Sequence, residues 1–122
     1  MTIPTGSGTE VLKSVFKSNL SDTGITLLPA ATNKIRTILS CLWIEKGSAN
    51  ETVNMWVDAG RNDVSGTGST DIYIFHHQPL GSKQTLVFSD KFVLQGEDVL
   101  MTNLGDSGSV DVYLSYIEQD WT

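Results

Sequence analysis

Apolar and polar residues alternate with a period of two through most of the chain, most clearly in two segments. Val53, Met55 and Val57 alternate with Thr52, Asn54 and Trp56, and Val110, Val112, Leu114 and Tyr116 alternate with Asp111, Tyr113 and Ser115. That period puts successive side chains on opposite faces of a pleated strand, so each segment predicts a strand with one buried face. Ile35 to Glu45 is apolar at both parities through its middle, which predicts a central strand covered on both faces or crossing between sheets. Further strands are predicted over Ile25–Leu28, Asp71–His76, Gln84–Phe88, Lys91–Leu94 and Asp98–Asn103, bounded by Gly, Ser, Asp and Pro. Glu10 to Asn19 carries a helical spacing in Val11, Leu12, Val15 and Phe16, with Thr9 placed as a cap. Because the remainder of the chain is patterned for strands, a strand is favoured there too.

Eight or nine short strands so closely spaced predict an all-β fold, an antiparallel β-sandwich of jelly-roll-like type. With 122 residues the expected organisation is a flexible N-terminal arm over residues 1–9 and a single sandwich domain over 10–122. In the arm Gly6 and Gly8 work against stable local structure, and Ile3 before Pro4 is held extended by proline sterics. Leu39, Trp43, Val57, Val112 and Leu114 are expected in the core. Ala59 to Thr70 is polar and carries the turn signals Asn62-Asp63 and Gly66-Thr67-Gly68, so a mobile loop joining two strands is expected. No repeat at a period of 20 to 50 residues is visible.

Composition narrows the function. Hydrophobic residues make up 39% and charged residues 18%, the net charge is −6 and the pI about 4.6. Without a run of Lys or Arg to track phosphates, nucleic acid is not an expected partner. Nor is a membrane, since no eighteen apolar residues run together, and Met1 to Gly8 has no leader pattern. Cys41 is alone in Ile38-Leu39-Ser40-Cys41-Leu42-Trp43-Ile44 and reads as a small buried hydrophobe in a reducing compartment.

Short motifs that suggest chemistry lack the context the chemistry needs. Gly105-Asp106-Ser107-Gly108 matches the tetrapeptide around a serine-protease nucleophile, but a triad requires a His held between that Ser and a buried Asp in a much longer double barrel. It reads instead as a hairpin turn with positive φ. His76 and His77, as neighbours on a strand, should face opposite sides and so not chelate one ion; they read as strand-end residues before a Gln78-Pro79 turn, stacked on an aromatic neighbour. Asp58, Gly60, Asn62 and Asp63 lack the Gly and Glu positions of a calcium loop, and Gly6-Ser7-Gly8 and Gly66-Thr67-Gly68 lack the Lys and helix of a phosphate loop. No catalytic residue, metal site or cofactor is assigned. Trp56 and Trp121 fall on the parity opposite the expected core or at the terminus, and a tryptophan on a sheet face is more often a protein contact than a sugar platform.

Several stretches carry a family likeness. Met1-Thr2-Ile3-Pro4-Thr5-Gly6-Ser7-Gly8-Thr9-Glu10-Val11-Leu12-Lys13 resembles the opening of small virion proteins of tailed bacteriophages, marine ones especially. Leu27-Leu28-Pro29-Ala30, the strand of Lys34 to Glu45, Leu86 to Leu100 and the closing Ser109 to Glu118 follow the layout of the same proteins. The resemblance spans nearly the whole chain and is one of pattern. It implies a non-enzymatic virion structural protein, assembled in the bacterial host cytoplasm and located in the virion. A capsid decoration (cement) protein is favoured, and a neck, tail or fibre-associated protein with a receptor- or glycan-binding role is the alternative. The implied partners are the major capsid protein or other virion proteins, and the chain itself as a homo-oligomer, with a trimer favoured. Ile3, Pro4, Trp56, Tyr73 and Trp121 are the candidate interface residues.

Overall fold

The computed structural model describes residues 9–66, 68, 70–106 and 108–120. Nine strands follow in order: β1 Thr9–Lys17, β2 Ile25–Leu28, β3 Lys34–Glu45, β4 Glu51–Ala59, β5 Thr70–Leu80, β6 Thr85–Phe88, β7 Phe92–Leu94, β8 Asp98–Leu104 and β9 Val110–Asp120. One sheet, here sheet A, has the order β1-β9-β3-β6, with β7 also on β3; the other, sheet B, has the order β2-β8-β4-β5. All pairings are antiparallel, and they nest: β1 with β9, β2 with β8, β3 with β6 and β7, β4 with β5. An antiparallel ribbon paired in this way and rolled until β3 meets β9 and β4 meets β8 is a jelly roll. β6 and β7 together occupy the place of one strand, because both lie on the same edge of β3.

Glu10 to Asn19 is resolved in favour of a strand, since β1 pairs with β9 without a shift from Thr9↔Asp120 to Lys17↔Val112. The double parity of β3 has a cause that the sequence reading did not give. Ile38 pairs with Tyr116 and Ser40 with Ser115, so Leu39 is the extra residue of a β-bulge. A bulge reverses which parity faces inward. Arg36 and Ile38 are buried before it, and Cys41, Trp43 and Glu45 after it. β3 therefore neither crosses between sheets nor is sealed on both faces, and Leu39, expected in the core, is only half-buried beside the bulge.

The core contains Leu28, Ile38, Cys41, Trp43, Val53, Met55, Val57, Leu94, Leu100, Val112, Leu114 and Tyr116 among others, drawn from both sheets. Trp43 of sheet A is fully enclosed and donates its indole N–H to Thr102 Oγ1 of sheet B at 3.2 Å; that hydroxyl donates in turn to the Asn54 carbonyl at 2.7 Å. Phe75 of β5 sets its ring edge-on to Trp43 at 5.4 Å and to Phe88 of β6 at 5.0 Å, closing the sandwich along one side. Burial raises the Cys41 thiol well above its ordinary pKa, which removes it from thiolate chemistry.

Two turn expectations are corrected. Gly105 to Gly108 is not a hairpin, because β8 and β9 belong to different sheets, and Gly105 has no positive φ. The glycines there lie in close approach to side chains: a Cβ on Gly105 would meet Thr52 Oγ1, and one on Gly108 the Glu51 carboxylate, so those side chains would have to shift. Ser107 lies outside the described residues. The Gln78-Pro79 turn is likewise replaced, since β5 runs on to Leu80 and the reversal falls at Gly81–Gln84, where Gln84 N–H bonds the Gly81 carbonyl. Proline is tolerated there because β5 is a sheet edge. The loop after Ala59 does join two strands, β4 and β5, which pair from Ala59↔Thr70 onward.

Leu114→Ala should cost about 2–5 kcal/mol through lost transfer energy and a cavity, because Leu114 has no exposed surface. Leu39→Ala should cost clearly less. Urea denaturation midpoints check both, and equal losses would sink the bulge assignment.

Candidate interaction surfaces

Because the two inner faces are occupied by the core, the side chains available to a partner lie on the outer faces and strand edges. On sheet A the register aligns Phe16, Tyr113, Leu42 and Val87 in one row across four strands, and Leu12, Ile117, Thr37 and Val93 in a second. Between them runs a row of serines, Ser14, Ser115 and Ser40. Phe16 and Leu12 are 71% and 70% exposed, and Val87, Val93 and Tyr113 about half. The Phe16 and Tyr113 rings stack at 6.3 Å, and Tyr113 Oη lies 3.0 Å from Ser14 Oγ, so part of this surface is ordered by its own contacts. Aligned exposed apolar side chains of this kind mark an interaction surface more than scattered ones do.

The outer face of sheet B carries an aromatic cluster. Thr26, Met101, Trp56 and Tyr73 form a cross-strand row, and the absence of a Cβ at Gly24 lets the Trp56 ring lie against the backbone there. Trp56 and Tyr73 are 5.5 Å apart, Tyr73 and His76 4.6 Å, and His76 and His77 4.2 Å. The aromatic neighbour expected beside a histidine is Tyr73, its ring tilted by 41° to that of His76 and not stacked on it, and the expectation that the two imidazoles face opposite sides is overturned. His77 has φ 61° in a stretch where β4–β5 pairing jumps from Val53↔Gln78 to Met55↔Phe75. This left-handed residue turns the second ring back beside the first. Its N–H is held by Asn54 Oδ1 at 2.9 Å, while Asn54 Nδ2 donates to Asn103 Oδ1 at 2.9 Å. Among the described residues no three His, Cys, Asp or Glu side chains are grouped to hold a metal ion.

Of the candidate interface residues, the structure brings Trp56 and Tyr73 together; Ile3, Pro4 and Trp121 lie outside the described residues. Sequence reading missed the two rows on sheet A. Phe16, Tyr113 and Val87 come from distant segments, and only the strand order and register put them in line.

Buried charge is concentrated at structural joints. Asp98, 2% exposed, accepts both Arg61 Nε and Nη2 at 3.1 and 3.2 Å and the Gln95 N–H, which ties the β4–β5 loop to the β7–β8 turn. Glu118 is held below the usual carboxylate range, first by its hydrogen bond from Lys13 at 2.7 Å, against the opposing effect of burial. At the other end of the sandwich, Glu45 accepts the Gly47 N–H through Oε1, while its buried Oε2 has no partner among the described residues. Burial raises Glu51, reinforced by Glu45 and Asp106.

No protein-family model matches the chain, and no curated protein matches it. Similar solved structures do exist. A chain of the infectious bursal disease virus T13 viral particle is 9% identical, with 90% of this chain and 30% of that one covered at a TM-score of 0.52. A chain of the Gx strain of the same virus is 9% identical, with 93% and 32% covered at a TM-score of 0.50. The chain thus spans about a third of the viral chains it matches. At such identity the likeness is one of fold: a jelly roll shared with chains of a viral particle.

Glu51 has a raised folded pKa, so its charged form is disfavoured in the native state, and stability should be gained as pH falls through that pKa toward the unfolded value near ~4.3. Glu51→Gln should therefore raise the denaturation midpoint at pH 7, with the advantage closing in acid. Parallel midpoint-against-pH curves for the two proteins would refute this.

Proposed function

We propose that this chain is a non-enzymatic virion structural protein of a tailed bacteriophage, a capsid decoration protein that binds the outer shell and clamps neighbouring capsid subunits. The observation that carries the reading is the outer face of sheet A, where one apolar row and a second interrupted only by Thr37 each cross four strands in register on a jelly roll. The resemblance of the sequence to small phage virion proteins and the fold shared with chains of a viral particle support it. A protein of this kind stabilises by binding the assembled lattice in preference to free subunits, and many weak contacts add through high effective concentration. Its partners are the major capsid protein or other virion proteins, and copies of itself, with the three-fold arrangement coming from the sequence resemblance.

Within this reading the sheet B cluster, Trp56 and Tyr73 with the two histidines, is a second protein contact. Its rings lie 4.2 to 5.5 Å apart, the two imidazoles stacked and Trp56, Tyr73 and His76 tilted against one another, and a tryptophan on a sheet face is more often a protein contact than a sugar platform. The arm ends one residue earlier than expected, since Thr9 already pairs with Asp120 in β1; residues 1–8 reach onto a neighbouring subunit, where burial of Ile3 offsets the entropy of ordering.

Reconstruction of purified particles tests the location. Regular density of jelly-roll size over the outer shell is expected; density confined to neck or tail would move the assignment there, and absence of the protein from particles would end the virion reading. Deleting residues 2–8 should leave the melting temperature of the free protein nearly unchanged and weaken its retention on washed particles. Equal retention of the truncated and full-length proteins would count against the arm.

A further inference from the structure

The sheet edges are not alike. On sheet A one edge is made of β6 and β7, four and three residues long, with a break between them at 89–91. On sheet B the edges are β2, four residues with a register shift, and β5, whose pairing shifts twice and which contains Pro79. Short strands, bulges and proline all hinder the addition of another strand. β1 has none of these. It is nine residues long, in unbroken register with β9, and its side chains Val11, Leu12 and Phe16 are 47%, 70% and 71% exposed. The central charge, Lys13, is already bound to Glu118 at 2.7 Å.

We propose that the β1 strands of two copies of this chain pair antiparallel about a two-fold axis through Ser14, joining two sheets A into one continuous sheet. The axis stands perpendicular to the sheet, so the outer faces of the two copies stay on one side and only residues of equal parity meet. An axis through Lys13 would set that lysine against its own copy, and like charges directly opposed are destabilising. An axis through Leu12 would leave Phe16 beyond the end of the partner strand. With the axis at Ser14, residues 11–17 overlap: Leu12 faces Phe16 of the second copy, Phe16 faces its Leu12, and Ser14 faces Ser14. Lys13 then lies opposite Val15, which its aliphatic stem can cover. The row Val87, Leu42, Tyr113, Phe16 runs straight into Leu12, Ile117, Thr37, Val93 of the second copy, and the two half-faces become one apolar band.

This contact does not depend on the virion reading. A single pair of edges is a small interface, so the free protein should dimerise in a concentration-dependent way, and copies held side by side on a surface would pair more completely.

The register is tested by Ser14→Cys in the full chain under mild oxidation. Directly opposed residues of antiparallel strands have Cα atoms about 4.5–5.5 Å apart, inside the range a disulfide spans, and the native Cys41 is fully buried and silent. Ser14→Cys should run as a disulfide-linked dimer on a non-reducing gel. Glu10→Cys, placed about 27 Å from its copy by eight residues of strand rise, should stay monomeric. Phe16→Lys, at an exposed position, should lower the dimer fraction in light scattering at least tenfold at a fixed concentration while the monomer keeps the wild-type far-UV circular dichroism spectrum. Equal cross-linking at positions 14 and 10, or none at 14, overturns the pairing. A trimer untouched by Phe16→Lys also overturns it while leaving the three-fold arrangement intact, and absence of the protein from particles leaves the gel result unaffected.

Discussion

The bulge at Leu39 is the constraint on which the rest of the sandwich depends. Without it the residues that follow would keep the parity of Ile38, and Leu42 and Ile44 would turn inward in place of Cys41 and Trp43. One additional residue, left without a partner on β9, lets Ile38 and Trp43 both enter the interior from the same strand. The indole N–H of Trp43 then finds Thr102 across the gap between sheets. A buried donor without a partner costs about 1–3 kcal/mol, so this bond does more to fix how the sheets face one another than its own net strength suggests. The same shift in parity turns Leu42 outward into line with Tyr113 and Val87, so the band on sheet A depends on it as much as the core does.

Much of this was legible in the residues themselves. Strict alternation in β4 and β9 identified one buried face each, and Val57, Val112 and Leu114 occupy it. Turn-forming residues bracketed most strands to within a few positions, the exception being β5, which runs through Gln78 and Pro79. What escaped was where a strand breaks its own period. Apolar residues at both parities fit a bulge and a doubly covered strand equally well, and only the partner strand decides between them. His77 escaped for the same reason, since alternation assumes extended backbone at every step and this residue has φ 61°. The glycines at 105 and 108 were noticed, but the side chains they approach, Thr52 and Glu51, are more than fifty residues away in sequence.

The outer surfaces show a further limit. Trp56 could be set aside from the core because it falls at the wrong parity for burial. The rows on sheet A could not be assembled in that way, because each contributes one residue per strand and the order β1-β9-β3-β6 is a property of the rolled ribbon. A sequence shows which side chains are turned outward; which of them become neighbours is settled by topology.

The interruption between β6 and β7 has a consequence for growth. A sheet with two receptive margins can add copies at both and lengthen into a ribbon without limit, whereas sheet A is receptive at β1 and broken at the opposite margin. In the language of polymer chemistry the subunit is monofunctional along this sheet: a single addition consumes its only reactive end, and the chain terminates at two.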